Sequence, residues 1–138
     1  MSETGQGPIL VGRAHAELGA ARYSVNIRAG RHDLIADEGP TLGGRDAGPS
    51  PFSIVLAGLG ACTAITLRMY AERKNWPLSG LRVDLEYFRD SQAFRIERVL
   101  HIEGELDTEQ RARLADIAER TPVTLALKAG ASITTRLS

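Results

Sequence analysis

The chain has 138 residues, with 17 lysines and arginines against 17 aspartates and glutamates, three histidines and one cysteine. This length suits one domain, 1–138, that buries about two-thirds of its unfolded surface, and zero net charge without basic runs among aromatics argues against a nucleic-acid partner. A lone cysteine rules out an intrachain disulfide and a cysteine-based zinc cluster, and the start MSETGQGPIL lacks the regions of a signal peptide, so the expected compartment is the reducing cytoplasm.

In chain order, Ile9 to Glu17 is a weak strand interrupted by Gly12 and Ala14. Arg22 to Arg28 is a clearer one, because Tyr23, Val25 and Ile27 alternate with Ser24 and Asn26. Arg31 to Asp37 follows the Ala29-Gly30 turn as a third strand, giving a meander. The glycine- and proline-rich run EGPTLGGRDAGPSP must be loop. Ser50 followed by Pro51 then opens a long helix, with serine as N-cap and proline at the first helical position.

This helix has no charge from Ser50 to Leu67, and Ile54 to Cys62 is wholly apolar or glycine, so its first half has no solvent face and must be wrapped. Pro51, Gly58, Gly60, Thr63 and Thr66 dilute it as a membrane span, and Arg68, Glu72, Arg73 and Lys74 end it as a soluble amphipathic helix. No membrane role is expected. Beyond Pro77 and Gly80, Leu81 to Phe88 alternates, the RDSQA turn follows, and Phe94, Ile96, Leu100 and Ile102 mark an antiparallel return. Asp107 and Gln110 form a capping-box pattern for a helix facing inward with Leu114, Ile117 and Ala118. Thr121-Pro122 starts a further short helix, and SITTRLS reads as a closing strand. The order is that of an α+β fold. A chain with so few other helices cannot cover the long one alone, so a homodimer with a partly intertwined interface is expected.

The run HDLIADEGPTLGGRDAGPSP followed by LAGLGACTAITLRMYAERKNWPLSGLRV resembles the OsmC/Ohr family of thiol peroxidases, in its short bacterial subgroup, and DTEQRARLADIAERTPV is similar to that family's helix and second-cysteine motif. The resemblance implies an OsmC-like intertwined homodimer, with antiparallel sheets wrapped around a long central helix carrying Cys62 and active sites at the subunit interface. It also implies reduction of organic hydroperoxides by a peroxidatic cysteine, a disulfide with a second cysteine, and recycling by a dithiol, without a cofactor. Cys62 in GACTA matches the peroxidatic position, whereas Thr121-Pro122 stands where the family has cysteine and proline. Phe52-Ser53 stands where family members carry an acid that orients an activating arginine. Arg31 is the nearest candidate for that arginine, with Arg28 and Arg45 as others, and Asp37, Glu38 or Asp46 could replace the acid.

A free thiol with a pKa of about 8.5 is only a few per cent ionised at neutral pH, so a reactive Cys62 needs a cation or hydrogen-bond donors. It lies roughly 16 Å along its own helix from Pro51, too far for that helix's positive end to act. Activation must come from another element or another subunit. Arg68, six residues on, is near the opposite side of the wheel, and Thr63 and Thr66 read as core hydroxyls bonded to the preceding turn. His15, His32 and His101 lack metal-ligand spacing. Two functions follow. One is a hydroperoxide reductase in which Cys62 alone forms a sulfenic acid that an external thiol reduces, serving oxidative-stress defence. The other is a catalytically degenerate protein that binds a small apolar ligand in the dimer-interface cleft.

Overall fold

The structure is a computed structural model and describes residues 7–91 and 93–138. The first six residues, read above for the absence of a leader, and Gln92 of the RDSQA turn lie outside the described residues. The chain divides into two compact units, Met1–Ile54 and Val55–Ser138.

The N-terminal unit is a three-stranded antiparallel sheet in the order β1-β2-β3, with β1 Ala14–Leu18, β2 Val25–Ala29 and β3 His32–Ala36. Each strand is shorter than its alternation suggests. Residues 9–11 are exposed and outside β1, and β2 begins at Val25 because Ser24 N–H donates back to the Ala21 carbonyl at 3.2 Å and closes a turn. Gly30 turns β2 into β3 with a φ of 61°, a left-handed conformation that glycine adopts without a Cβ clash. The loop after β3 holds a 3-10 turn, Pro40–Leu42, and is gathered around Asp37. A Cβ on Gly44 would collide with the Glu38 carbonyl oxygen, so this loop requires glycine there.

Helix α1 runs Pro51–Lys74. Ser50 caps it as the sequence predicts: its Oγ accepts the Ser53 N–H at 3.3 Å and its carbonyl accepts the Ile54 N–H at 3.1 Å. The helix ends at Asn75, with φ of 57°, where Asn75 N–H donates to the Glu72 carbonyl at 3.1 Å and Trp76 N–H to the Ala71 carbonyl at 2.8 Å. These two bonds form the Schellman pattern, which turns the chain sharply towards the next strand.

In the C-terminal unit, β4 (Leu78–Arg89) and β5 (Phe94–Gly104) form a long antiparallel hairpin in which Val83 is paired with Leu100 and Leu85 with Arg98. Helix α2 (Thr108–Ala118) opens with both halves of the expected capping box: Gln110 N–H donates to Asp107 at 2.7 Å and Asp107 N–H to Gln110 Oε1 at 2.9 Å. Arg111 fastens this helix to the hairpin, its guanidinium donating to the carbonyls of Ile102, Gly104 and Leu106. Helix α3 (Pro122–Ala129) follows, capped by Thr121, whose Oγ1 accepts the Thr124 N–H at 3.3 Å. The core of the unit is Leu67, Ala71, Leu78, Leu106, Leu114 and Ala118, flanked by Tyr70, Trp76 and Ile117.

One expectation needs correction. The closing strand at 132–138 is not formed: this segment has no ladder partner among the described residues, and Ile133 and Leu137 are exposed. Alternation alone does not make a strand when no edge receives its backbone groups. The single chain buries Leu59, Thr63, Leu67 and Ala71 of α1, a stripe at intervals of four residues, and leaves Val55, Ile65 and Met69 exposed, as expected of a helix that one chain cannot cover alone. By length and composition α1 could cross a membrane; Leu67 and Ala71 are instead part of the core just described.

Candidate active site around Cys62

Cys62 is half-buried on α1, with Thr66 one turn further on and its Oγ1 3.9 Å from the sulfur. Thr63 beside it is fully buried and donates to the Leu59 carbonyl at 2.7 Å, the back-bonding expected for a core threonine. The N-terminus of α3 is brought to the sulfur. Partial burial pushes the Cys62 thiol up, but the Val123 backbone N–H, the hydroxyls of Thr121 and Thr66 and the charge of Arg98 outweigh it, and the thiol lies below its ordinary range. The helix that activates Cys62 is therefore not its own: the Val123 N–H and the positive end of α3 favour a thiolate there.

Behind these donors sits Arg98 of β5, with a side chain 11% exposed. Its Nη1 donates to Thr63 Oγ1 at 3.0 Å and to Thr124 Oγ1 at 2.9 Å, and its Nη2 donates to the Ala118 carbonyl at 2.9 Å. Nη2 also reaches Glu119 Oε2 at 3.4 Å, and Lys128 holds the other oxygen of Glu119 at 2.7 Å. The Lys128 ammonium draws the Glu119 carboxyl below its usual range, with Arg98 contributing. Thr121 and Thr124, both buried, place their hydroxyl oxygens 2.7 Å apart. Four hydroxyls and one guanidinium thus connect α1, β5 and α3 around one sulfur.

Arg98 is not among the arginines that the resemblance proposes, although the sequence carries its signal. Ile96, Leu100 and Ile102 mark the inward face of the return strand, and Arg98 occupies the one position of that row that is not apolar. A charge at an inward position of a strand needs built partners. Arg31, the candidate activator from the resemblance, is exposed on the β2–β3 turn of the N-terminal unit. Arg28 pairs with Asp33 at 3.0 Å on that unit's surface, and Arg45 gives its backbone N–H to Asp37. The Asp37 carboxylate accepts the N–H groups of Glu38, Arg45 and Ala47. Arg68 donates to the Leu78 carbonyl at 2.8 Å and serves the fold. Among the described residues no group of three or more histidine, cysteine or acidic side chains is placed to hold a metal.

Thr121 stands beside the sulfur in the place where a second thiol would have to stand, and its hydroxyl keeps the helix cap and the hydrogen bond while offering no redox partner. The site can hold a thiolate and can donate hydrogen bonds to an oxygen formed on it.

Comparison with known proteins bears on the fold and the family. No curated protein matches the sequence. An OsmC-like protein from Mycoplasma pneumoniae has a similar structure, with a TM-score of 0.75 at 19% identity over 86% of this chain and 88% of the other. The organic hydroperoxide resistance protein OhrB of Bacillus subtilis matches with a TM-score of 0.60 at 22% identity over 86% and 91% of the two chains. A protein from Legionella pneumophila described as an organic hydroperoxide resistance protein OsmC matches at 0.65 and 21% identity over 88% and 92%. At these identities the solved structures establish the fold, and the family model for OsmC-like proteins covers residues 43–136, so the chain belongs to the OsmC-like family.

Proposed function

We propose that this protein is a one-cysteine organic hydroperoxide reductase of the cytoplasm, working as a homodimer and recycled by an external thiol. The observation that carries the proposal is the seating of the Cys62 sulfur against the Val123 N–H and the Thr121 hydroxyl at the start of α3, with Arg98 behind. The thiolate sulfur attacks one peroxide oxygen, the O–O bond breaks, and the alcohol leaves after taking a proton, so that the sulfur is oxidised to a sulfenic acid and the peroxide is reduced. One external thiol then displaces water to give a mixed disulfide, and a second releases Cys62 as the oxidised external disulfide departs. The single cysteine requires this route, because no intrachain disulfide can form. Arg31 is kept only as a further proposed activator, carried by the resemblance, beside the donors just named.

The test is consumption of an organic hydroperoxide in the presence of a dithiol, with Cys62→Ser as the blank and a sulfenic-acid probe as a second readout. Turnover that disappears in the blank, with probe attached to Cys62 in the wild type, supports the reading. Equal consumption by both proteins contradicts it. The exposed Val55, Ile65 and Met69 of α1 favour a second reading, an apolar ligand held at a dimer-interface cleft. A native mass spectrum without a co-purified ligand, together with no saturable binding of an apolar fluorophore, would remove that alternative.

A further inference from the structure

We propose that Arg98 is a positioning residue for Cys62, acting through the directions of the hydroxyl protons at Thr124 and Thr121. The proposal rests on the reading of Cys62 as the reactive thiol and adds a residue that acts on it without touching it. A guanidinium donates and never accepts, so Arg98 Nη1 occupies a lone pair on Thr63 Oγ1 and another on Thr124 Oγ1. The Thr63 proton is committed to the Leu59 carbonyl at 2.7 Å. The Thr124 proton has two acceptors, the Ala118 carbonyl at 3.2 Å and Thr121 Oγ1 at 2.7 Å.

Arg98 biases that choice twice. Its Nη2 already donates to the Ala118 carbonyl at 2.9 Å, and its Nη1 takes up acceptor capacity on Thr124 that a proton from Thr121 would otherwise use. The favoured arrangement sends the Thr124 proton to Thr121 Oγ1, which also accepts the Thr124 N–H at 3.3 Å. The Thr121 proton is then free to point at the Cys62 sulfur, where it stabilises a thiolate and, after oxidation, the oxygen on sulfur. Without Arg98 the Thr124 proton can return to Ala118 and the Thr121 proton can turn inward. The other charges at this cluster are Glu119, after α2, and Lys128, on α3, which are paired with each other at 2.7 Å.

The experiment is the rate of Cys62 alkylation by iodoacetamide as a function of pH, a readout that needs no peroxide chemistry. Arg98→Met is expected to raise the midpoint by about one pH unit, a roughly tenfold loss of thiolate at pH 7, whereas Arg95→Met, at an exposed arginine of the same strand, is expected to leave it in place. Arg98→Lys keeps the charge without the two-armed fork and is expected to recover only part of the shift. In a Thr121→Val background the Arg98→Met substitution should shift the midpoint clearly less, leaving only what the loss of its charge contributes, because the hydroxyl link is gone. Equal shifts in both backgrounds, full recovery by lysine, or no shift in folded Arg98→Met would overturn the proposal. Where Arg98→Met does not fold, Thr124→Val cuts the same link and must raise the midpoint; an unchanged midpoint there overturns it equally. Loss of peroxidase turnover in the assay above with this coupling intact would refute the function while leaving the positioning role in place.

Discussion

Asp37 and Arg98 are both nearly buried charges, one in each unit, and their surroundings differ in kind. Asp37, 3% exposed, is met by three backbone N–H groups of its own loop at 2.7, 3.2 and 3.2 Å. Backbone donors cannot rotate, so the charge ends where it is satisfied and its effect is to hold the loop. Arg98 spends two of its bonds on threonine hydroxyls, which can rotate and carry protons of their own. A charge satisfied by backbone is a staple; one satisfied by hydroxyls can direct hydrogen bonds at a further atom. In this molecule that atom is the Cys62 sulfur.

The comparison can be broken at several points. The largest effect is expected from Thr121→Cys, which replaces the last hydroxyl of the Arg98 chain by a thiol next to Cys62. One equivalent of organic hydroperoxide should then oxidise Cys62 to the sulfenic acid, and condensation with the introduced thiol should release water and form an intrachain disulfide. Titration would find both thiols lost and both restored by a reductant. A surviving introduced thiol beside an oxidised Cys62 would mean that the α3 start does not lie against the sulfur.

Next is Leu114→Ala in the core of the C-terminal unit. Leu114 is 0% exposed, and its truncation is expected to cost about 2–5 kcal/mol by denaturant unfolding. Ala118, whose carbonyl anchors Arg98, is in the same core. If hydroxyl direction rather than general rigidity sets the thiol, the folded variant should keep the wild-type alkylation midpoint. A midpoint that rises in step with lost stability would place the effect in packing instead.

The smallest effect is expected at Asp37. Burial pushes its carboxyl up, but the N–H groups of Ala47, Glu38 and Arg45, with the charge of Arg45, outweigh it and leave the group below its usual range. A carboxyl depressed in the folded state stabilises above its unfolded pKa, about 3.9, and loses that contribution as pH falls through the lower folded value. Asp37→Asn should therefore lower Tm at neutral pH and flatten the fall in Tm below about pH 4. An unchanged acid limb would show that the charge of Asp37 adds nothing to the loop.

Much of the fold was legible in particular residues. Ser50-Pro51 marked the start of α1, Asp107 with Gln110 the start of α2, and Thr121-Pro122 the start of α3, because caps are local chemistry written within four residues. SITTRLS misled because a strand is completed by a partner edge that its own sequence does not encode. The partial exposure of α1 in one chain was legible too, because its uncharged first half needs more cover than two short helices and a few strands supply. Cys62 was legible as a candidate nucleophile. Its activators were not, since Val123, Thr121 and Arg98 lie 36 to 61 residues further along and meet it only in the folded unit. The inward-facing arginine between Ile96 and Leu100 was the available signal.

The most direct test of the central claim is single-turnover oxidation of Cys62 by an organic hydroperoxide across pH, with Cys62→Ser as the blank. The account requires oxidation well above the rate of a free thiol, with a midpoint below the ordinary value of about 8.5. A rate and midpoint equal to those of a free thiol would show that Cys62 is packing, and that the donors around it serve the fold alone.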